Sequence, residues 1–292
     1  MLTQQLFNGV LLGATFALVA LGFNLVVGAL DRLNFALGET AMVSAMLGAI
    51  VMGEAGLPFP VAFLAAVGLG GLVSVAVYFV SFKYVSKEFR TASILSSLGM
   101  GLVLTALVTK FLGSNQRSVP DVLPGVQLDL GLFQVSGSQL VILLLATLLT
   151  AGLYVFLERT IWGTAIRGVS DDMTVTALLG VPVQRVILLT FALSGVLAGA
   201  AGMLTGLAYH TVSPFDGFPT TLTALMIIVL GGLGSVTGGL VAALLIGVIE
   251  TLTVAYLSAT LRDLIVFVLV GIVLLVRPQG LFGRDSGVLE RV

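Results

Sequence analysis

ERTIWGTAIRGVSDDMTVTALLGVPVQR, Glu158 to Arg185, is a charged island between two apolar runs. QLVILLLATLLTAGLYVFL (Gln139 to Leu157) precedes it, and VILLTFALSGVLAGAAGMLTGLA (Val186 to Ala208) follows it. Each flank has the roughly 20 apolar residues that a helix needs to cross a bilayer. The island carries Glu158, Arg159, Arg167, Asp171, Asp172 and Arg185. A connection inside a compact bundle is normally shorter than about 12 residues unless it has a task of its own. Ile166, Val169, Met173, Thr176 and Ala177 recur at the spacing of one helix face, which predicts a short amphipathic helix at the membrane surface. Held between two spans, such a helix is a handle for a soluble motor.

The whole composition agrees with the flanks. Of 292 residues, 58% are hydrophobic and 9% charged, and the mean hydropathy is +1.16. A soluble domain carries about 25% charged residues, so this is the composition of an all-α polytopic membrane protein. The 36 glycines fit, because small residues let membrane helices approach closely. With a net charge of −1 and no basic cluster, nucleic-acid binding is not expected. The absence of cysteine excludes disulfides and thiol chemistry, and a single histidine, His210, cannot build a multi-histidine metal site. No cofactor is expected. The N-terminal apolar run has no basic n-region and is too long for a signal peptide, so it reads as a retained span.

Hydropathy marks candidate spans near 6–29, 34–53, 61–82, 91–112, 139–157, 186–209, 219–231, 236–257 and 263–276. The weak segment 34–53 and the short segment 219–231 each read as a crossing or as a broken, re-entrant helix, so eight and nine crossings both stand. Lys83, Lys87 and Arg90, then Arg159, Arg167 and Arg185, then Arg277, Arg284 and Arg291 are separated by even numbers of spans. These nine of the 13 basic residues share one side, which the positive-inside rule makes the cytoplasm. The C-terminus is then cytoplasmic and the turn-rich loop Gly113–Gly137 external, with room for a short hairpin. Nine crossings start the chain outside and eight start it inside. One membrane domain, 1–292, holds everything.

Asn34 to Met46 (NFALGETAMVSAM) and Asp216 to Met226 (DGFPTTLTALM) echo each other, each following a long span. Interrupted segments at matching places in two halves point to a transporter's substrate path.

Four ordered blocks resemble one known family. FNGVLLGATFALVALGFNLVVG leading into NFALGE is similar to the opening span and NFAHGE signature of the LivH-type permeases, subunits of bacterial ABC importers for branched-chain amino acids. The island is similar to that family's cytoplasmic segment of the form G-x-x-x-R-A-x-x-x-D-x-x-x-A-x-x-x-G, and VLGGLGSVTGGLVAALLIGVIE and RPQGLFGR resemble its glycine-rich pair and closing motif. Leu37 stands where the family has histidine, and Gly168 where it has alanine. The resemblance implies a permease in the bacterial inner membrane that carries branched-chain or related small amino acids. It also implies a second permease subunit in a heterodimer, two cytoplasmic ATPase subunits and an extracytoplasmic solute-binding protein, with lipid around the spans.

Candidate sites follow. Coupling to an ATPase falls to Glu158, Arg159, Gly163, Arg167, Asp171, Asp172, Ala177 and Gly180, the charges giving oriented contacts and the small residues close docking. Glu39 at membrane depth costs about 2.5–3.5 kcal/mol unless paired or hydrated, so it lines a path or holds helices together, with Asn34 and Thr40 as partners. These three form the candidate translocation path. Glu250 reads as polar glue in its span, and Arg262 with Asp263 as an interfacial pair. His210 lies in a polar turn with Tyr209, Ser213 and Asp216. VLGGLGSVTGG lacks the lysine and spacing of a phosphate loop and reads as a tight turn. No ATPase or other catalytic motif is present. The competing reading is a self-sufficient secondary transporter or channel for small polar solutes, which leaves the island unexplained.

Overall fold

The structure, a computed structural model, describes residues 1–85, 90–123, 125–129 and 134–282. Lys87, Arg284 and Arg291, used in the charge argument, lie outside the described residues. In hydrocarbon each backbone N–H and C=O must be satisfied within its own segment, so the apolar runs form helices despite their many β-branched residues. The chain is an all-α polytopic membrane protein. The first half comprises α1 (Leu2–Leu30), α2 (Leu37–Gly53), α3 (Phe59–Val77, prolonged by a π turn at Tyr78–Phe82) and α4 (Arg90–Leu112). Then follow α5 (Gly137–Arg159), α6 (Ile161–Asp171) and α7 (Met173–Leu178). The second half comprises α8 (Val183–Tyr209), α9 (Gly217–Gly231), α10 (Val236–Tyr256) and α11 (Arg262–Val276). Among the described residues seven helices are long and apolar enough to span a membrane, and α2 and α9 are shorter apolar helices. The weak segment at 34–53 is thus one continuous helix from Leu37, with the non-helical stretch before it.

The two halves repeat. α1 packs along α10 as α8 packs along α3, and α2 meets α9. Small residues make both long contacts. Gly9 and Gly13 lie on the backbone of α10 at Ala243–Val248, while Gly195 and Gly199 lie on α3 at Gly70 and Ala66. α1 and α8, the most buried of the long helices, form the centre. Each ends on a left-handed residue, Asp31 (φ 53°) and His210 (φ 56°), the two non-glycine residues with positive φ among those described. A short non-helical stretch then leads into α2 or α9.

The halves run in opposite directions. Gln4 in α1 donates to the Gln134 carbonyl at 2.9 Å and accepts from the Gln134 N–H at 2.8 Å, and Asn8 accepts from Gln139 at 3.2 Å. α1 therefore begins at the end of the bundle that carries the 113–136 loop. It finishes at the other end, where Gly28 lies against Ser170 of α6. α8 ends where α1 begins, because β1 (Arg117–Ser118) pairs antiparallel with β4 (Thr211–Val212). The N-terminus thus shares an end with the loop. The loop holds the anticipated hairpin, β2 (Gln127–Asp129) against β3 (Gln134–Ser136).

Two of the sequence motifs have structural tasks. Asn24 in α1 clamps the glycine-rich turn, donating to the Ser235 carbonyl at 2.8 Å and accepting from the Gly234 N–H at 2.7 Å. The turn bends through positive φ at Gly232 and Gly234 and is no phosphate loop. The closing motif folds back so that the N–H groups of Leu281 and Phe282 donate to the Leu230 and Gly231 carbonyls at 2.8 and 3.1 Å. Those carbonyls would otherwise be unsatisfied at the C-terminus of α9.

Candidate functional site

The island between α5 and α8 is two helices rather than one. Asp172 interrupts it by turning its side chain onto the N–H groups of Thr174 and Val175, at 2.7 and 3.0 Å, and so caps α7. Thr160 caps α6 through the Gly163 N–H at 3.0 Å. Gly163 sits on the last carbonyls of α5 at Phe156 and Leu157, where a Cβ would not fit. Ile166, Val169 and Thr176 are buried and Met173 is half-buried, as their spacing predicts, but Ala177 is exposed. Gly180 turns the chain toward α8 at φ 85°. Arg167 pairs with Glu158 at 2.7 Å, both half-exposed, so these two charges face each other. Arg159 and Asp171 project outward. The outer surface also carries Ile161, Val175, Leu178 and Leu179, exposed apolar side chains at the end of the bundle. Their spacing alone does not separate them from the buried set.

Glu39 is 6% exposed in the first turn of α2. Thr105 of α4 donates to its carboxylate at 2.8 Å. Neither expected partner serves it. Thr40 donates to the Ala36 carbonyl at 2.9 Å, and Asn34 accepts from the Ala36 N–H at 3.1 Å. The Asn34 amide nitrogen is buried without a hydrogen-bond partner among the described residues. The stretch leading into α2 follows α4, with Arg32 donating to Ser93 at 2.6 Å and the Phe35 N–H to Ser97 at 3.2 Å. Gly217, the first residue of α9, lies directly on the Glu39 carboxylate. The Gly38 N–H donates to the Thr221 hydroxyl at 3.1 Å. The first turns of α2 and α9 therefore cross at Glu39, where the positive ends of two helix dipoles favour a carboxylate.

Beside this crossing a cavity of about 330 Å³ opens toward the end that carries the 113–136 loop. Ala41, Met42 and Ala45 of α2, one turn beyond Glu39, line it together with Val19 of α1 and Thr220 and Thr223 of α9. Asn34, Glu39 and Thr40 do not. Tyr209, Ser213 and Asp216 lie on its wall, whereas His210 is exposed at the helix end. Glu250 of α10, 2% exposed, and Arg262 at the start of α11 complete it, 3.8 Å apart. Arg262 donates to Asp263 at 3.1 Å, as the sequence suggests, but also faces Glu250 across the turn between α10 and α11. A basic residue thus stands beside an intramembrane acid, which hydropathy does not reveal.

The comparisons with known proteins agree with this architecture. A family model described as branched-chain amino acid transport system / permease component matches residues 5–276. The chain is similar to the LivH permease protein of the high-affinity branched-chain amino acid transport system of Salmonella typhimurium LT2. The two are 33% identical over 295 residues, covering 97% of this chain and 96% of that protein. LivH of Escherichia coli K12 is 33% identical over 296 residues and BraD of Pseudomonas aeruginosa 31% over 295, with the same coverage. Among solved structures, PsaBC from Streptococcus pneumoniae in complex with Fab has the same fold. Its TM-score is 0.53 at 13% identity, over 93% of this chain and 91% of that one.

Proposed function

The chain belongs to the family of branched-chain amino acid transport system permease components, and on that premise we propose that it is a membrane subunit of an ATP-driven importer in the bacterial inner membrane. It pairs with a second permease to form a heterodimer. Two cytoplasmic ATPase subunits hydrolyse ATP, an extracytoplasmic binding protein delivers the solute, and this chain catalyses no reaction. Branched-chain or related small amino acids are the cargo.

The observation that carries the proposal is the α6–α7 element. It presents Ile161, Val175, Leu178 and Leu179 as an apolar surface edged by Arg159 and Asp171, at the end of the bundle away from the hairpin loop. Side chains of that kind fit a groove in a soluble partner. Glu158, Arg167, Asp172, Gly163, Ala177 and Gly180 shape the element, as ion pair, cap, docking points and turn.

Alternating access then works as follows. The nucleotide state of the ATPase displaces α6–α7. Gly163 transmits the displacement to α5, and the Gly28–Ser170 contact transmits it to α1. The crossing of α2 and α9 at Glu39, with Asn34 and Thr40, is the gate beneath the cavity. ATP and the loaded binding protein together must favour one state by several kcal/mol, since a shift from 1:99 to 99:1 takes about 5.5 kcal/mol. The test is pull-down of the chain from its native membrane in mild detergent. A second permease and two ATPase chains are expected, and a chain that comes out alone contradicts the proposal.

A further inference from the structure

Among the described residues, Glu250 is the cavity-lining acid with a buried carboxylate oxygen that lacks a hydrogen-bond partner. Arg262 Nε, at 3.8 Å, is beyond hydrogen-bond reach. A buried carboxylate with no donor loses its hydration without compensation, so such a group is expected to meet a donor at some point in the protein's cycle. Arg262 donates from Nε to Asp263 and its guanidinium also engages Tyr209 on the same wall, but a guanidinium carries five N–H donors, more than these two contacts use. An acid and a base therefore stand side by side at one wall of the cavity. Val19 and Met42 supply apolar surface on the α1 and α2 walls. The volume of about 330 Å³ is at the small end of the roughly 300–1,000 Å³ typical of ligand sites.

We propose that this cavity is a binding site for a single zwitterionic amino acid within one permease subunit. Glu250 takes the α-ammonium, Arg262 takes the α-carboxylate, and Val19 and Met42 hold an aliphatic side chain. The ammonium brings three donors to an acid that lacks one, and the carboxylate accepts charge-assisted bonds from a planar fork. A solute with only one of the two charges leaves the other protein group unpaired in a buried site. That is the condition under which polar recognition discriminates most strongly. This inference rests on the importer reading and specifies where its cargo is held.

The test uses the full chain with its accompanying subunits in nanodiscs, without binding protein or ATP, and measures saturable binding of tritiated L-leucine. Isoamylamine, which lacks the carboxylate, and isocaproate, which lacks the ammonium, are the competitors. Each is expected to compete at least about tenfold more weakly than leucine. Glu250→Gln should weaken leucine binding by about tenfold or more without weakening isocaproate binding, which has no ammonium for Glu250 to take. Equal competition by isocaproate, no saturable leucine binding, or undiminished leucine binding by the variant each overturns the proposal. If Glu250→Gln does not fold, the competition on the unsubstituted protein decides. ATP-driven uptake by the same preparation, once supplied with binding protein, separates the two readings. Intact uptake without leucine binding removes the site alone, whereas absent ATP dependence removes the importer.

Discussion

The carboxylate of Glu39 rests on the backbone of Gly217, so that any side chain at residue 217 would occupy the space the carboxylate fills. The pair joins the first turn of α2 to the first turn of α9, one from each half of the repeat. Neither helix can slide along the other without moving this contact, and the cavity wall begins one turn away at Ala41 and Met42. On the proposed reading, this crossing is where a movement of the helices changes access to the cavity.

Gly217→Ala should lower stability by about 1–3 kcal/mol, the cost of overpacking a close contact. Glu39→Ala in the same chain should restore part of it. Thermal unfolding of the purified protein in detergent measures both. A single variant with an unchanged midpoint would mean that the two helices do not meet this closely.

Glu39→Gln keeps the shape and an acceptor for Thr105 but removes the charge that the helix ends favour, an interaction of about 0.3–2 kcal/mol. Assembly should survive, and the transport rate should change. Uptake assays beside size-exclusion profiles distinguish the outcomes. A variant that fails to assemble would give Glu39 a purely structural role.

Much of this architecture is legible in the sequence, for reasons that differ by element. The spans stand out because hydrocarbon admits only long apolar helices, and the island stands out because its charges interrupt them. The echo of Asn34–Met46 in Asp216–Met226 corresponds to the two short helices that cross at Glu39. Other features depend on how distant segments fold back. Glu250 and Arg262 meet because the turn at Leu257–Leu261 reverses the chain, and no periodicity records that. Thr105 lies on a separate helix from Glu39, so the local candidates Asn34 and Thr40 are the natural but mistaken partners. Asp172 reads as a docking charge in a helical pattern. Its place directly before MTVTAL is nevertheless an N-cap signal that could have divided α6 from α7. Leu178 and Leu179 escape notice because exposed apolar residues look like buried ones in so apolar a chain.

Asp172→Ala removes the cap of α7 and should destabilise that helix by about 0.5–2 kcal/mol. Membrane insertion should stay intact while stimulation of the ATPase falls. Asp171→Arg combined with Asp172→Arg should abolish stimulation altogether. Undiminished ATPase stimulation in the double variant would remove the coupling role of this element.

Leu178→Glu places a charge on the exposed apolar surface without touching the bundle interior. It should release the ATPase subunits during purification and leave the thermal midpoint of the permease unchanged. Retention of the ATPase at full stoichiometry would mean that the partner docks elsewhere.

The most direct test of the account is uptake of radiolabelled leucine into proteoliposomes containing the purified assembly. It is run with and without ATP on the side that the α6–α7 element faces, with binding protein on the other. The account predicts accumulation that requires both ATP and binding protein and that disappears in the Asp171→Arg, Asp172→Arg variant. Uptake by this chain alone, without ATP and driven by an ion gradient, would contradict it and identify a self-sufficient secondary transporter.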